Sequence, residues 1–328
     1  MTLPTVLMIS LGGTITMTRN ASGGIVPTLD ANDLVCTVPG LDTVAQIETL
    51  SPFRKPGASL TFDDLMAVAT LINARLASGI AGAVVIQGTD TIEETAFVLD
   101  RLVRGDAPVV VTGAMRGAEA AGADGPANLL ASAITAVSLD ARGRGVLVVL
   151  NDEIHAARFV QKSHTALPSA FRSPLCGPVA LVIEGRALFQ LDPRRAPSLE
   201  GEWSNEERPV ALLKIGLGDD GRLITALPSL GFAGVVIEGM GAGHVPAHIA
   251  PLLGTIAEQM PVVLASRAET GPSFTQTYAF PGSEVDLLGR GLISAGSLSG
   301  LKARLLLSLL LRTGHHDRTQ IRAAFEMN

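Results

Sequence analysis

Charge, aromatic rings and cysteine are all in short supply in this chain. Of its 328 residues, 17% are charged, below the quarter typical of globular proteins, while 47% are hydrophobic and 35 are glycine. Together with a mean hydropathy of +0.37, that balance implies extensive buried surface and many tight turns, which suits α/β architecture. A basic excess is missing, since 31 Asp and Glu outweigh 25 Lys and Arg for a net charge of −6. Such a chain has no field to neutralise phosphates, and ten Phe, one Trp and one Tyr build no stacking platform, so nucleic acid is not expected as a partner. No apolar run approaches the ~18 residues of a membrane span. The longest, Leu305 to Leu311, is interrupted by Ser308, and no membrane contact is expected. The first ten residues carry neither a basic region nor a small-residue cleavage site, so the expected location is cytoplasmic. The two cysteines, Cys36 and Cys176, lack metal-ligand spacing and read as buried free thiols.

What the chain does hold is a series of short apolar runs bounded by Gly, Pro or Asp. Val6 to Ile9, Ala83 to Ile86, Val109 to Val111 and Val146 to Leu150 read as strands buried on both faces. Between them, Phe62 to Ser78, Glu93 to Arg104 and Ala127 to Ser138 repeat apolar residues at spacings of three and four, as helices do. The expected result is a parallel sheet with helices on both sides. From Leu191 to Pro209 the pattern gives way to a polar stretch rich in Pro and charge, read as a linker. A second series follows, with strands near Val210 to Ile215, Gly234 to Glu238 and Val262 to Ser266 and a closing helix from Leu301 to Arg312. The organisation expected is therefore a larger parallel-sheet domain over 1–190, a linker over 191–209 and a smaller α/β domain over 210–328.

Two strand ends carry the chemistry. The first runs into Gly12-Gly13, which permit a tight turn and leave Thr14 at the strand's carboxyl end, where open parallel sheets bind ligands. A phosphate loop is excluded by the absence of Gly-Lys-Ser/Thr. The second ends in QGTDTIEETA, where Thr91 followed by Glu94 predicts a capping box and a helix start. Thr89 and Asp90 then occupy the turn, either as capping groups alone or as a hydroxyl and a carboxylate beside free backbone N–H groups, the parts acyl transfer requires. Downstream, TGAMR ends a third strand, Asp124 and Pro126 mark a further helix start, and Lys162 sits in a polar loop. Of the remaining patterns, GLGDDG at 216–221 follows a strand, but Asp219-Asp220 would repel a pyrophosphate and no helix clearly follows. His244 and His248 are separated by VPA with no third ligand nearby, so no metal site is expected.

LGGTIT, GTDTIEETA, TGAMR, ADGPANLL and the Lys162 loop, in that order, make the chain resemble the bacterial-type L-asparaginase/glutaminase family over nearly its whole length. The resemblance implies two α/β domains and a homotetramer built as a dimer of dimers, with each site shared between the N-domain of one subunit and the C-domain of its neighbour. It implies Thr14 as nucleophile and Thr89, Asp90 and Lys162 as a second triad that moves protons and positions water. Gly13, Ser59, Gly88, Ala114, His244 and Glu284 become the substrate-binding positions. Glu284 takes the α-amino group across the dimer interface, and His244 stands where an Asn is usual. Two departures stand out. Leu60 follows Ser59 where the family has Gln or Glu, and the loop after Thr14 lacks the customary tyrosine. The only tyrosine, Tyr278, six residues before Glu284, is the candidate replacement, the other reading being a ring packed under the C-terminal sheet.

The function expected is hydrolysis of L-asparagine to aspartate and ammonia through an acyl-enzyme on Thr14, without metal or organic cofactor. Leu60 leaves L-glutamine, a D-isomer or a peptide-linked amide open as substrates. The missing loop tyrosine leaves open a protein that binds the amino acid without turning it over.

Overall fold

The computed structural model describes residues 2–13, 15, 17–19, 25–27 and 30–328. The chain forms two compact units, Met1–Ser198 and Leu199–Asn328. The first is built from β1 (Thr5–Ser10), β2 (Met17–Arg19), β3 (Ile25–Pro27), α1 (Ala31–Cys36), β4 (Gln46–Leu50), α2 (Phe62–Ala77), β5 (Gly82–Ile86) and α3 (Ile92–Leu102). It continues through β6 (Val109–Thr112), α4 (Gly125–Val137), β7 (Val146–Leu150), β8 (Glu153–Ala156), β9 (Gln161–Lys162), β10 (Phe171–Arg172), β11 (Ala180–Ile183) and β12 (Arg186–Phe189).

Its main sheet has the order β12-β11-β8-β7-β6-β5-β1-β4. Five strands, β4, β1, β5, β6 and β7, run parallel, with Val6 opposite both Ile47 and Gly82. The chain goes from β1 to β4 on one side and then crosses back to β5 on the other. Strand order therefore reverses at β1, and the carboxyl ends of β1 and β5 flank the crevice where an open α/β sheet accepts a ligand. Val6–Ile9 of β1 and Ala83–Ile86 of β5 are apolar throughout because both faces are covered. Leu129, Ala133 and Ala136 of α4 pack with Val84, Ile86, Val110, Leu147 and Val149 on one face. α2 and α3 contact each other and the sheet but contribute nothing to that cluster, so they cover the opposite face.

The sheet is not purely parallel. After β7, Asn151 and Asp152 both take positive φ, 56° and 60°, in a two-residue turn of the kind that joins antiparallel strands. β8, β11 and β12 therefore pair antiparallel and extend the sheet past the last βα unit. Lys162, expected in a loop, instead lies on β9 of a short antiparallel ribbon, with Phe171 of β10 opposite it. Cys36 and Cys176 are free thiols as expected but exposed rather than buried.

The second unit holds β13 (Val210–Lys214), α5 (Arg222–Ala226), β14 (Gly234–Gly239), α6 (Ala250–Gln259), β15 (Val262–Ser266), α7 (Glu284–Gly289), β16 (Ile293–Ser294), α8 (Gly300–Arg312) and α9 (Arg318–Glu326). Its sheet is parallel in the order β13-β14-β15-β16. α5 and α6 cover one face through Ile224, Leu253 and Ile256, packed with Val235, Ile237 and Leu264. α8 contacts β13, β14 and β15 through its run of buried leucines. It does not close the chain, because Asp317 caps a further helix, α9, with its side chain on the N–H groups of Thr319 and Gln320. A short helix, α5, also follows GLGDDG, contrary to the sequence reading.

Candidate active site

Three turns meet backbone against backbone at the carboxyl ends of β1 and β5. Gly12 and Gly13 have φ of 108° and 93°, and a Cβ on Gly13 would stand 2.0 Å from the amide nitrogen of Gly88. A Cβ on Gly57 would lie 2.9 Å from the carbonyl of Gly88. Only glycine lets the β1 turn, the Gly57–Ser59 turn and the β5 turn approach so closely. The arrangement is held by Lys55 N–H donating to the Leu11 carbonyl at 2.9 Å and Leu11 N–H donating to the Ile86 carbonyl at 2.8 Å. Ser59 is exposed on its turn, and Thr14 lies outside the described residues.

The β5 turn takes the form of a single 3-10 turn, Thr89–Thr91, leading into α3. The expected capping box is not formed. Thr91 makes no capping bond; its hydroxyl donates instead to the Gly57 carbonyl at 3.0 Å and accepts from Gln87 Nε2 at 3.1 Å. Thr91 thus fastens the Ser59 turn to the Thr89 turn. Capping boxes form instead on α1, between Asp30 and Asp33, and on α2, between Thr61 and Asp64, where Asp64 receives Lys55 Nζ on both carboxylate oxygens at 2.8 Å. The pattern T-F-D-D before an apolar helix was a readable signal for the one on α2.

Thr89 is 8% exposed, and its hydroxyl accepts from Lys162 Nζ at 2.9 Å. The same ammonium donates to Asp90 Oδ1 at 2.8 Å. Asp90 is largely in solvent while Lys162 is mostly covered, so the cation is held between a buried hydroxyl and an exposed carboxylate. Ala114 is buried after β6, in a turn organised by Asp124, whose two oxygens accept the N–H groups of Met115 and Arg116 at 2.9 Å each. Asn128, one turn into α4, donates to the Gly113 carbonyl and accepts from Asn151 N–H, which ties the ends of β6 and β7 together. The pattern around Asp124 marks a helix start, but nothing along the chain signals its hold on the TGAMR turn.

In the second unit, Met240 and His244 bridge across a loop so tight that a Cβ on Gly239 would lie 2.6 Å from Gly243. That loop brings His244 Nε2 to 3.1 Å from Glu284 Oε2. The other oxygen of Glu284 accepts the N–H groups of Thr277 and Tyr278 at 2.9 and 2.7 Å. Burial opposes ionisation of this carboxyl, but the Tyr278, Thr277 and its own N–H groups together with His244 outweigh it, and its pKa lies below the ordinary value. The Tyr278 ring meets His244 edge-on at 5.0 Å and is 43% exposed. It therefore does not pack under the C-terminal sheet. Residues 244, 278 and 284 form one cluster, as do 13, 57, 88, 89, 90 and 162 in the first unit.

A hydroxyl buried against an ammonium, at a crevice whose neighbouring turns are glycine-lined, suits proton transfer to or from a reacting group. Two family models match the chain: Asparaginase, N-terminal, over residues 5–195, and the Glutaminase/Asparaginase C-terminal domain over 209–325. The chain belongs to the asparaginase family. Among relatives, it is 32% identical to an L-asparaginase of Bacillus licheniformis, covering 93% of this chain and 95% of that one. It is 36% identical to a probable L-asparaginase of Deinococcus radiodurans, covering 98% and 97%. The solved structure of a probable cytoplasmic L-asparaginase from Campylobacter jejuni matches with a TM-score of 0.87 and 30% identity, covering 98% of this chain and 99% of that one. For an asparaginase, the glycine-packed turns at the β1–β5 crevice put Gly12 and Gly13 of the LGGTIT motif beside the turn that carries Gly88 and Thr89.

Proposed function

We propose that this asparaginase-family protein hydrolyses the side-chain amide of free L-asparagine to aspartate and ammonia through an acyl-enzyme on Thr14. The observation that supports it most is the Thr89–Lys162–Asp90 group beside the Gly13 turn. In this reading the Thr14 hydroxyl oxygen attacks the carboxamide carbon, the C–N bond breaks, and the proton leaves with ammonia. Water then adds to the ester carbon, aspartate departs, and a proton returns to Thr14. Backbone N–H groups near Gly13 and Thr89 stabilise the oxyanion of both steps, each worth about 3 kcal/mol in analogous sites. Thr89, with Lys162 on its oxygen and Asp90 holding Lys162, directs the proton traffic and the attacking water.

Gly88, Ala114 and Ser59 belong to the substrate-binding wall in this reading, while Glu284 takes the α-ammonium group and His244 orders Glu284. The half-exposed Tyr278 ring on His244 supports its use as the missing phenol. The assembly proposed is a homotetramer of paired dimers, in which Glu284 serves the neighbouring subunit, with domains over 1–190 and 210–328 joined by 191–209. The cytoplasmic location proposed with it agrees with the name of the Campylobacter protein.

Ammonia release from L-Asn, L-Gln and D-Asn by the purified protein tests the substrate. Thr89→Val, which keeps the shape and removes the hydroxyl, is expected to lower turnover at least about 100-fold with the fold intact. Thr14→Ala is expected to abolish any covalent acyl adduct seen by mass spectrometry. An adduct on another residue would reassign the nucleophile.

A further inference from the structure

His155 is a fully buried histidine that the proposed mechanism does not use. It sits on β8, with Ile154 and Ala156 pointing into the core shared with α4. Alternation along the strand therefore turns His155 and Glu153 to the opposite face, where α3 and the β9–β10 ribbon lie. Its Nδ1 is 3.0 Å from the Ser173 hydroxyl and its Nε2 is 3.2 Å from Glu153 Oε2. An ionised carboxylate only accepts, so Nε2 carries the proton and Nδ1 accepts from Ser173.

Carboxylate, imidazole and hydroxyl in a row are also the parts of a nucleophilic triad. Here the row is enclosed in protein, with Ser173 4% and His155 1% exposed, and it links the end of β10 to β8. Ser173 directly follows β10, whose Phe171 pairs with Lys162 on β9. Among the described residues, Lys162 and Ser173 are the two side chains through which residues 161–173 hydrogen-bond outside their own segment. Both attachments lie at the base of the hairpin: Lys162 fastens β9 to Thr89 and Asp90, and Ser173 fastens the end of β10 to the main sheet through His155.

We propose that His155 is a positioning residue for Lys162: the Glu153–His155–Ser173 row anchors the β9–β10 ribbon to β8 and so sets where the Lys162 ammonium stands relative to Thr89. This rests on the reading that Lys162 and Thr89 act in turnover. Burial pushes the His155 imidazole down to about 4, so it stays neutral, and the anchor unchanged, across the neutral pH range. A two-residue strand has too few ladder bonds to fix a lysine's position by itself, which is why a second attachment matters.

The test uses the full-length protein. In His155→Asn, the amide oxygen replaces Nδ1 as acceptor for Ser173; His155→Leu fills the space without an acceptor, and Ser173→Ala removes the donor. His155→Leu and Ser173→Ala are expected to lower kcat about tenfold or more, with KM for L-asparagine changed less than twofold. Amides of residues 161–173 should exchange at least about tenfold faster, while those of β5 to β7 keep their rates. His155→Asn is expected to restore kcat to within about threefold of the parent. If His155→Leu fails to fold, Ser173→Ala carries the test alone. Unchanged kcat in Ser173→Ala overturns the proposal, as does equal loss in His155→Asn and His155→Leu. Lys162→Met separates the two levels of argument. If it keeps full turnover, the reading of the site fails; if it is inactive while Ser173→Ala is normal, only the anchor fails.

Discussion

At the residue scale, the titration of His155 makes a prediction about stability. Its folded-state pKa of about 4 lies below the 6.5 of an unperturbed imidazole, because burial penalises the charged form. Between those values the unfolded chain binds a proton at this imidazole that the native chain does not, so the His155 contribution to stability falls as pH drops from about 6.5 and is lost near 4, opposed by Glu153, whose carboxyl burial pushes up. The full window is worth about 3 kcal/mol. Urea unfolding at pH 7, 5.5 and 4.5 should show this slope in the parent and a flatter one in His155→Asn; parallel curves would refute the assignment. Tyr278 offers a second test, since Phe at that position keeps the ring against His244 and removes only the hydroxyl. A fall in turnover of about tenfold or more at unchanged melting temperature is expected if the phenol relays a proton, and normal turnover would remove Tyr278 from the mechanism. Thr89, Asp90, Lys162 and Glu284 could all be picked out by motif, but the surroundings of each could not. Thr91 stands in a capping pattern but is a strut between two turns, because its hydroxyl finds the Gly57 carbonyl 34 residues away rather than its own helix.

At the scale of elements, the close meeting of three turns depends on atoms that are absent. Gly13→Ala puts a methyl group 2.0 Å from a backbone nitrogen that no rotamer can move, at a φ of 93°. Gly40→Ala is the control: its φ is 78°, but nothing lies within 4 Å of the added carbon. Gly40→Ala should cost about 1 kcal/mol, the ordinary left-handed penalty, and leave turnover alone. Gly13→Ala should lose more stability and most of the activity, since Gly88 and then Thr89 must shift to make room; thermal melts and ammonia release on both variants check it. The strands and helices of the βα series were readable because a strand buried on both faces is apolar throughout and a helix repeats every three or four residues. The antiparallel tail was less readable. Asn151-Asp152 is a two-residue turn with both φ positive, but without a glycine it lacks the usual sequence mark of such a hairpin.

At the scale of the whole molecule, the residues proposed for the reaction are divided between the two units. Thr89, Asp90 and Lys162 belong to the first, and His244, Tyr278 and Glu284 to the second. If Glu284 serves the neighbouring subunit, then mixing inactive Thr89→Val subunits with inactive Glu284→Gln subunits should recover activity, because a mixed dimer contains one site with both parts intact. Gln is the better replacement than Ala here. Glu284 has no exposed surface and three hydrogen-bond partners at the start of α7, and an empty space there would unseat the helix. Subunit exchange confirmed by mass spectrometry with no recovered ammonia release would count against the shared site, and light scattering of the parent reports whether it is a dimer or a tetramer.

What the sequence determined by itself is whatever depends on neighbours along the chain: strand and helix periodicity, the glycines that permit sharp turns, and the ordered motifs of the asparaginase family. What only the tertiary structure decided is which distant residues share a place. Lys162 reaches Thr89 across 73 positions, and His155 on β8 reaches Ser173, which follows β10, across 18. The physical reason is that periodicity reports which face of an element is buried, whereas a hydrogen bond between elements depends on the strand order and register that bring the two faces together.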